Sequence, residues 1–162
     1  MIHQVSTFMK VMGQEMPEVP TIPSVAIQLL RHELIFEENL ELSAAAAAND
    51  LVEVADALCD LQYVISGAVR AYGFSPVLFE ELFAEVQRSN MSKICKTNLE
   101  AFDTMQKYAE QGIETEPVEV DGLFTVVRSS DKKVLKSINY SEPNLKAILI
   151  SHGHLHDVTA TS

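Results

Sequence analysis

The sequence predicts a mainly α-helical domain, a bundle of four or five helices with a small β-hairpin near the C-terminus. Three observations carry this. Apolar positions recur at helical spacing through most of residues 25–111. Ser24, Asp50 and Ser75-Pro76 punctuate that stretch as helix starts, with Gly73 and Gly112 as stops. Beyond Gly112 the pattern changes to short runs rich in β-branched residues.

Residues 4–13 read as a short amphipathic helix, ended by the Pro17, Pro20 and Pro23 stretch, which cannot continue one. Ser24 is a candidate N-cap for a second helix from Val25 to about Ala47, where Ile27, Leu30, Leu34 and Leu40 recur near helical spacing. Asn49-Asp50 interrupts the alanine run, and Asp50 caps a third helix reaching about Tyr72 before Gly73. That third helix is apolar round most of its circumference (Leu51, Val54, Leu58, Leu61, Val64, Ile65), so we expect it to be central and buried. Pro76 opens a fourth helix to about Ser89, with Glu80 and Glu81 in or near its first turns. A polar joint from Ser89 to Lys93 leads to a fifth helix over 98–111. Leu123–Arg128 and Val134–Ile138 read as the two strands of a hairpin, turning through Ser129-Ser130-Asp131-Lys132-Lys133. Pro143 to Ile150 suggests a short last helix, and the tail from Ser151 has little to pack against. One domain over 1–162 is expected, its helical core at about 24–112 and its hairpin and last helix at about 118–150.

Composition narrows the function. The formal net charge is −11, which argues against a nucleic-acid polymer held by a broad phosphate-contacting surface. It does not exclude a small anionic substrate, because divalent cations can sit between carboxylates and phosphates. No apolar run is long enough to span a membrane, and the first twenty residues lack the basic start and apolar stretch of a secretory signal. Two cysteines, Cys59 and Cys95, form no disulfide framework, so a reduced, cytoplasmic setting is expected.

The second helix carries Glu37, Glu38 and Glu41, and the third carries Glu53, Asp56 and Asp60. Glu38 and Glu41 share a face, as do Glu53, Asp56 and Asp60 at i, i+3 and i+7. An antiparallel hairpin turning near position 47 sets Glu38 level with Asp56 and Glu41 level with Glu53. Four carboxylates on one patch repel and raise one another's pKa. A hard divalent cation removes that penalty, and Mg²⁺ is the usual one beside phosphates. Charged residues on a helix are ordinarily a solvated face. Here the acids interrupt a helix that otherwise looks central, which favours a metal site.

The pairing Glu37-Glu38-x-x-Glu41 with Glu53-x-x-Asp56 resembles the signature of the all-α nucleotide pyrophosphohydrolases, the superfamily of MazG, the dimeric dUTPases and the phosphoribosyl-ATP pyrophosphohydrolases. Asp50–Val64 with Gly67, and later Glu85–Lys93, are similar to its MazG-like branch, so the likeness covers about residues 24–137. The interval between the two half-motifs is short for that superfamily, and Asp60 adds an acid one turn beyond Asp56. The resemblance implies a MazG-like bundle that hydrolyses a nucleoside triphosphate (NTP or dNTP) to the monophosphate and pyrophosphate, one use being nucleotide-pool housecleaning. It implies Mg²⁺, with Mn²⁺ able to substitute, held by Glu38, Glu41, Glu53 and Asp56; Asp60, which departs from the family pattern, is a further candidate to replace or join a ligand. Glu37 or Glu41 would accept the proton of the attacking water. It also implies a homodimer or a tetramer of dimers.

Arg88 to Lys93 suits phosphate oxygens, but equally suits a helix C-terminus whose dipole favours basic residues. With the resemblance, Asn90 and Lys93 are the expected substrate contacts, and Lys96 after them. Tyr63 either stacks on a base or fills the core, the core being preferred. The alternating His152, His154 and His156 read as incidental, Cys59 as a buried structural thiol, and Met9, Met12 and Met16 as packing residues. The competing reading is a non-catalytic acidic helical module that binds a basic partner.

Overall fold

Ser24, Asp50 and Thr97 each close a helix N-terminus with a side-chain oxygen. Ser24 accepts from the Ile27 N–H in a long 3.5 Å contact, Asp50 from the Val52 and Glu53 N–H groups at 3.0 and 3.2 Å, and Thr97 from the Glu100 N–H at 3.1 Å. The structure, a computed structural model, describes residues 1–155. Among them are six helices: α1 Ile2–Val11, α2 Val25–Ala48, α3 Leu51–Ala71, α4 Pro76–Met91, α5 Asn98–Ala109 and α6 Leu145–Ser151. Two strands, β1 Thr115–Val120 and β2 Leu123–Arg128, lie between α5 and α6. The mainly helical class with a small hairpin near the C-terminus therefore holds. The chain divides into two compact units, Met1–Glu80 and Glu81–Ser162.

In the first unit α2 and α3 form a hairpin through Asn49, which takes the left-handed conformation (φ 54°), and α1 packs on α3. Its buried residues include Val5, Met9, Ala45, Ala57, Val69 and Ala71. The expectation that α3 is covered on most sides does not hold within one chain: Leu51 is 80% exposed, Val52 75% and Leu58 50%. Only its last stretch, from Ser66 to Ala71, is largely enclosed.

The second unit is centred on Cys95, Ala101 and Val126, with Met105 and Phe124 packed against them. Cys95 and Phe124 exchange both backbone hydrogen bonds, at 2.8 and 2.9 Å. The hairpin differs from the expected one. β2 occupies its expected span, but it pairs with β1 upstream, Val120 opposite Leu123, and the segment from Val134 contributes only an isolated bridge to Val127. The cause is the two-residue turn Asp121-Gly122, both with positive φ (52° and 76°), which matches the twist of an antiparallel pair better than a five-residue loop.

Glu85 ties α4 to the loop before α6. It binds Arg88 at Nε (2.7 Å) and Nη2 (2.8 Å) and accepts the Asn144 N–H at 2.7 Å. The Arg88 hydrogen bonds first, then the Asn144 amide, hold its carboxyl down at about 2 against an ordinary 4.5. A pKa lowered by folding contributes stability above the unfolded value, and that contribution is lost as pH falls from about 4.5 towards 2. Acid unfolding followed by circular dichroism should therefore show a shallower decline in that window for Glu85→Gln, which is less stable at neutral pH.

Candidate functional site

The α2–α3 hairpin positions the acidic residues. Chain reversal falls at Asn49, two residues later than the expected 47. Across the hairpin Glu38 feels the charges of both Asp60 and Asp56. Burial raises the Glu38 pKa most, followed by the charges of Glu41, Asp60, Glu37 and Asp56 in that order. Glu38 is half-buried; its Oε2 is cut off from solvent and has no hydrogen-bond partner. A buried oxygen of that kind is costly unless something else meets it.

One turn closer to the reversal, Glu41, Glu53 and Asp56 line a cavity of about 480 Å³. Its remaining walls are Ala44, Ala45, Ala48, Ala57 and Asp50. The alanines leave the space: Ala45 and Ala57 are buried where the helices approach, and their small side chains keep the acids from being crowded out. Asp50 is already engaged as the α3 cap. Glu37, Glu41, Glu53, Asp56 and Asp60 are exposed.

The donors are all carboxylate oxygens, the right kind for Mg²⁺ or Mn²⁺, and the orphaned Glu38 oxygen gives one of them a reason to take a cation. Among the described residues, no three Asp, Glu, His or Cys side chains stand close enough to hold an ion as they are placed. Like charges on adjacent turns repel, which favours rotamers that keep these carboxylates apart.

The other expected contacts lie in the second unit. Lys93 Nζ donates to Asn90 Oδ1 at 2.8 Å, so these two hold each other. Lys96 is exposed and lines a cavity of about 380 Å³ with Arg88, Ser92, Glu100 and Asn139. The serines of this joint are structural: Ser89 is buried, donating to Tyr140 Oη at 3.3 Å, and Ser92 donates to the Ser89 carbonyl at 2.7 Å and accepts the Ser141 N–H at 2.9 Å. Arg88 is engaged by Glu85, Ser141 and the Glu142 carbonyl.

Some expectations change. Cys59 is exposed rather than buried, because its side of α3 is uncovered, and Met12 is 60% exposed at the end of α1. Tyr63 is at the edge of the core, 39% exposed, with its ring edge-on to Phe8 at 5.7 Å. His152 pairs with Glu81 at 2.8 Å and stacks on His154, whereas His156 lies outside the described residues. Arg31, buried on α2 two turns before Glu38, was not singled out by the sequence reading. The available signal was Gly67, a glycine inside a helix with no turn to make.

No curated protein matches the chain. No helix among the described residues is long and apolar enough to cross a membrane. The sequence profile of the family described as phosphoribosyl-ATP pyrophosphohydrolase matches residues 5–90, more than half of the chain. That span contains Glu37, Glu38, Glu41, Glu53, Asp56, Asp60 and Asn90, and stops short of Lys93 and Lys96. The chain thus belongs to the phosphoribosyl-ATP pyrophosphohydrolase family, within the MazG-like all-α nucleotide pyrophosphohydrolases, whose members hydrolyse acid anhydrides of nucleotides.

Proposed function

We propose that this chain is a Mg²⁺-dependent pyrophosphohydrolase that cleaves a nucleoside triphosphate to the monophosphate and pyrophosphate. The observation that carries the reading is the buried, unpartnered Glu38 Oε2 within electrostatic reach of four other carboxylates. Glu38, Glu41, Glu53 and Asp56 would hold the cation, with Asp60, whose charge also reaches Glu38, joining them. When bound, the cation neutralises phosphate oxygens and stabilises charge developing on the bridging oxygen. Glu37 or Glu41, both open to solvent, accepts the proton of the attacking water. The alanine floor lets the phosphates approach the acids closely. Asn90 and Lys93, and after them Lys96, are the cation and amide groups proposed to meet the substrate.

The test is incubation of the full chain with canonical and modified triphosphates, with and without Mg²⁺, followed by separation of the products. Monophosphate and pyrophosphate, formed only with the metal, are expected. A diphosphate with orthophosphate would contradict the reading.

We also propose a homodimer, or a tetramer of dimers. The exposed Leu51, Val52 and Leu58 on α3 support this, because an apolar helix face left in water is usually covered by a symmetric partner. Sedimentation should find a dimer or tetramer, and Leu58→Glu should shift it towards monomer. A fully active wild-type monomer at assay concentration would rule this arrangement out. Two free thiols agree with a reducing, cytoplasmic location.

A further inference from the structure

Arg31 is only 8% exposed. Its one hydrogen bond among the described residues runs from Nη2 to Gln14 Oε1, at 3.0 Å. Its Nε is cut off from solvent and has no partner, and no described carboxylate lies within 4.0 Å of the guanidinium. Burial pushes its pKa down, yet a guanidinium stays protonated in a protein. A cation taken from water without a counter-charge is expensive to keep.

The surroundings are built to keep it there. Gly67 on α3 faces the guanidinium: a Cβ at that position would stand 2.9 Å from Nη1. Glycine inside a helix is unfavourable relative to alanine, so its presence here has a packing purpose. Gln14 is set in place by the left-handed turn at Gly13 (φ 65°) and by its own N–H, which donates to the Met9 carbonyl at 2.9 Å. Arg31 opens onto a cavity of about 260 Å³ within the first unit, walled by Phe8, Met9, Leu34, Tyr63 and Val64.

We propose that this cavity is a binding site for a small organic monocarboxylate, seated with its carboxylate on Arg31 and its apolar body against Phe8, Leu34 and Tyr63. One positive charge matches one negative charge. A planar carboxylate fits a guanidinium edge. A phosphate dianion would need donors that these apolar walls do not offer. The volume lies just under the usual range for ligand cavities, about 300–1,000 Å³, and so selects an acid of few carbons. The site uses none of the residues assigned above to hydrolysis.

The experiment titrates the full chain with straight-chain monocarboxylates from acetate to hexanoate, by calorimetry and thermal shift at fixed ionic strength. Primary alcohols of equal length and inorganic phosphate serve as controls. Saturable binding of one carboxylate per chain is expected, tightening with chain length until the cavity is filled, with the alcohols weaker by about tenfold or more. Arg31→Met keeps the length of the side chain and removes the charge, and it should lose the carboxylate response. Gly67→Ala should weaken it by displacing the guanidinium. If Arg31→Met does not fold, the comparison of acids with alcohols on the wild-type chain decides by itself. Equal binding by Arg31→Met, phosphate binding in preference to every carboxylate, or no saturable binding would overturn the proposal. So would subunit dissociation in Arg31→Met with no carboxylate bound by the wild type, because the counter-charge would then come from a second copy.

Discussion

Asp56→Asn and Glu41→Gln should each lower turnover by at least about a hundredfold, the upper end of what losing an outer-shell partner costs a metal site. Both residues line the alanine-floored cavity, and both raise the Glu38 pKa through their charge. The same substitutions should leave the melting temperature unchanged or raise it. Each removes one of several neighbouring negative charges whose repulsion opposes folding. Steady-state pyrophosphate release together with a thermal melt checks both halves. Lost activity with a lowered melting temperature would point to damaged packing, and unchanged turnover in both variants would remove these carboxylates from the chemistry.

Gly73→Ala should destabilise the first unit by roughly 3–5 kcal/mol, with a fall of about 10 °C in melting temperature for a chain of this size. Gly73 has φ 78°, and a Cβ there would lie 2.0 Å from the Val19 carbonyl oxygen. The obstacle is backbone, which cannot swing aside. The 2.9 Å bond from the Thr21 N–H to the Tyr72 carbonyl fastens the two segments at the same place. Gly112→Ala is the internal comparison. Its φ is 73° but nothing lies within 4 Å of the added carbon, so only backbone strain of about 1 kcal/mol is expected. Urea unfolding of the two variants separates clash from strain, and equal losses would show that the Val19 contact is unimportant.

Helix starts were legible because they depend on single side chains. Ser24 and Asp50 sit where a short polar oxygen meets free N–H groups, whatever the rest of the chain does. The hairpin was mispaired because two runs of β-branched residues were matched to each other, whereas Asp121-Gly122 specified the tighter turn with β1, a strand disguised by Pro117 and two glutamates. The point of chain reversal was placed two residues early. It rested on where the alanine run would bend, and alanine favours helix, so α2 continued to Ala48. Within one chain α3 is less covered than its apolar sequence suggests. Apolar periodicity says which face seeks cover, not whether the covering surface comes from the same chain. Arg31 escaped notice because a lone arginine in a helix looks solvated until packing encloses it.

The central claim is that the acids of α2 and α3 hold a divalent cation on which pyrophosphate release depends. Mn²⁺ titration of the full chain, read by electron paramagnetic resonance with and without a non-hydrolysable triphosphate, tests it most directly. Saturable binding is predicted, strengthened by the nucleotide, displaced by Mg²⁺, and lost in Glu53→Gln and Asp56→Asn. Equal Mn²⁺ binding by the wild type and both variants, or pyrophosphate release that persists in excess chelator, would contradict the account.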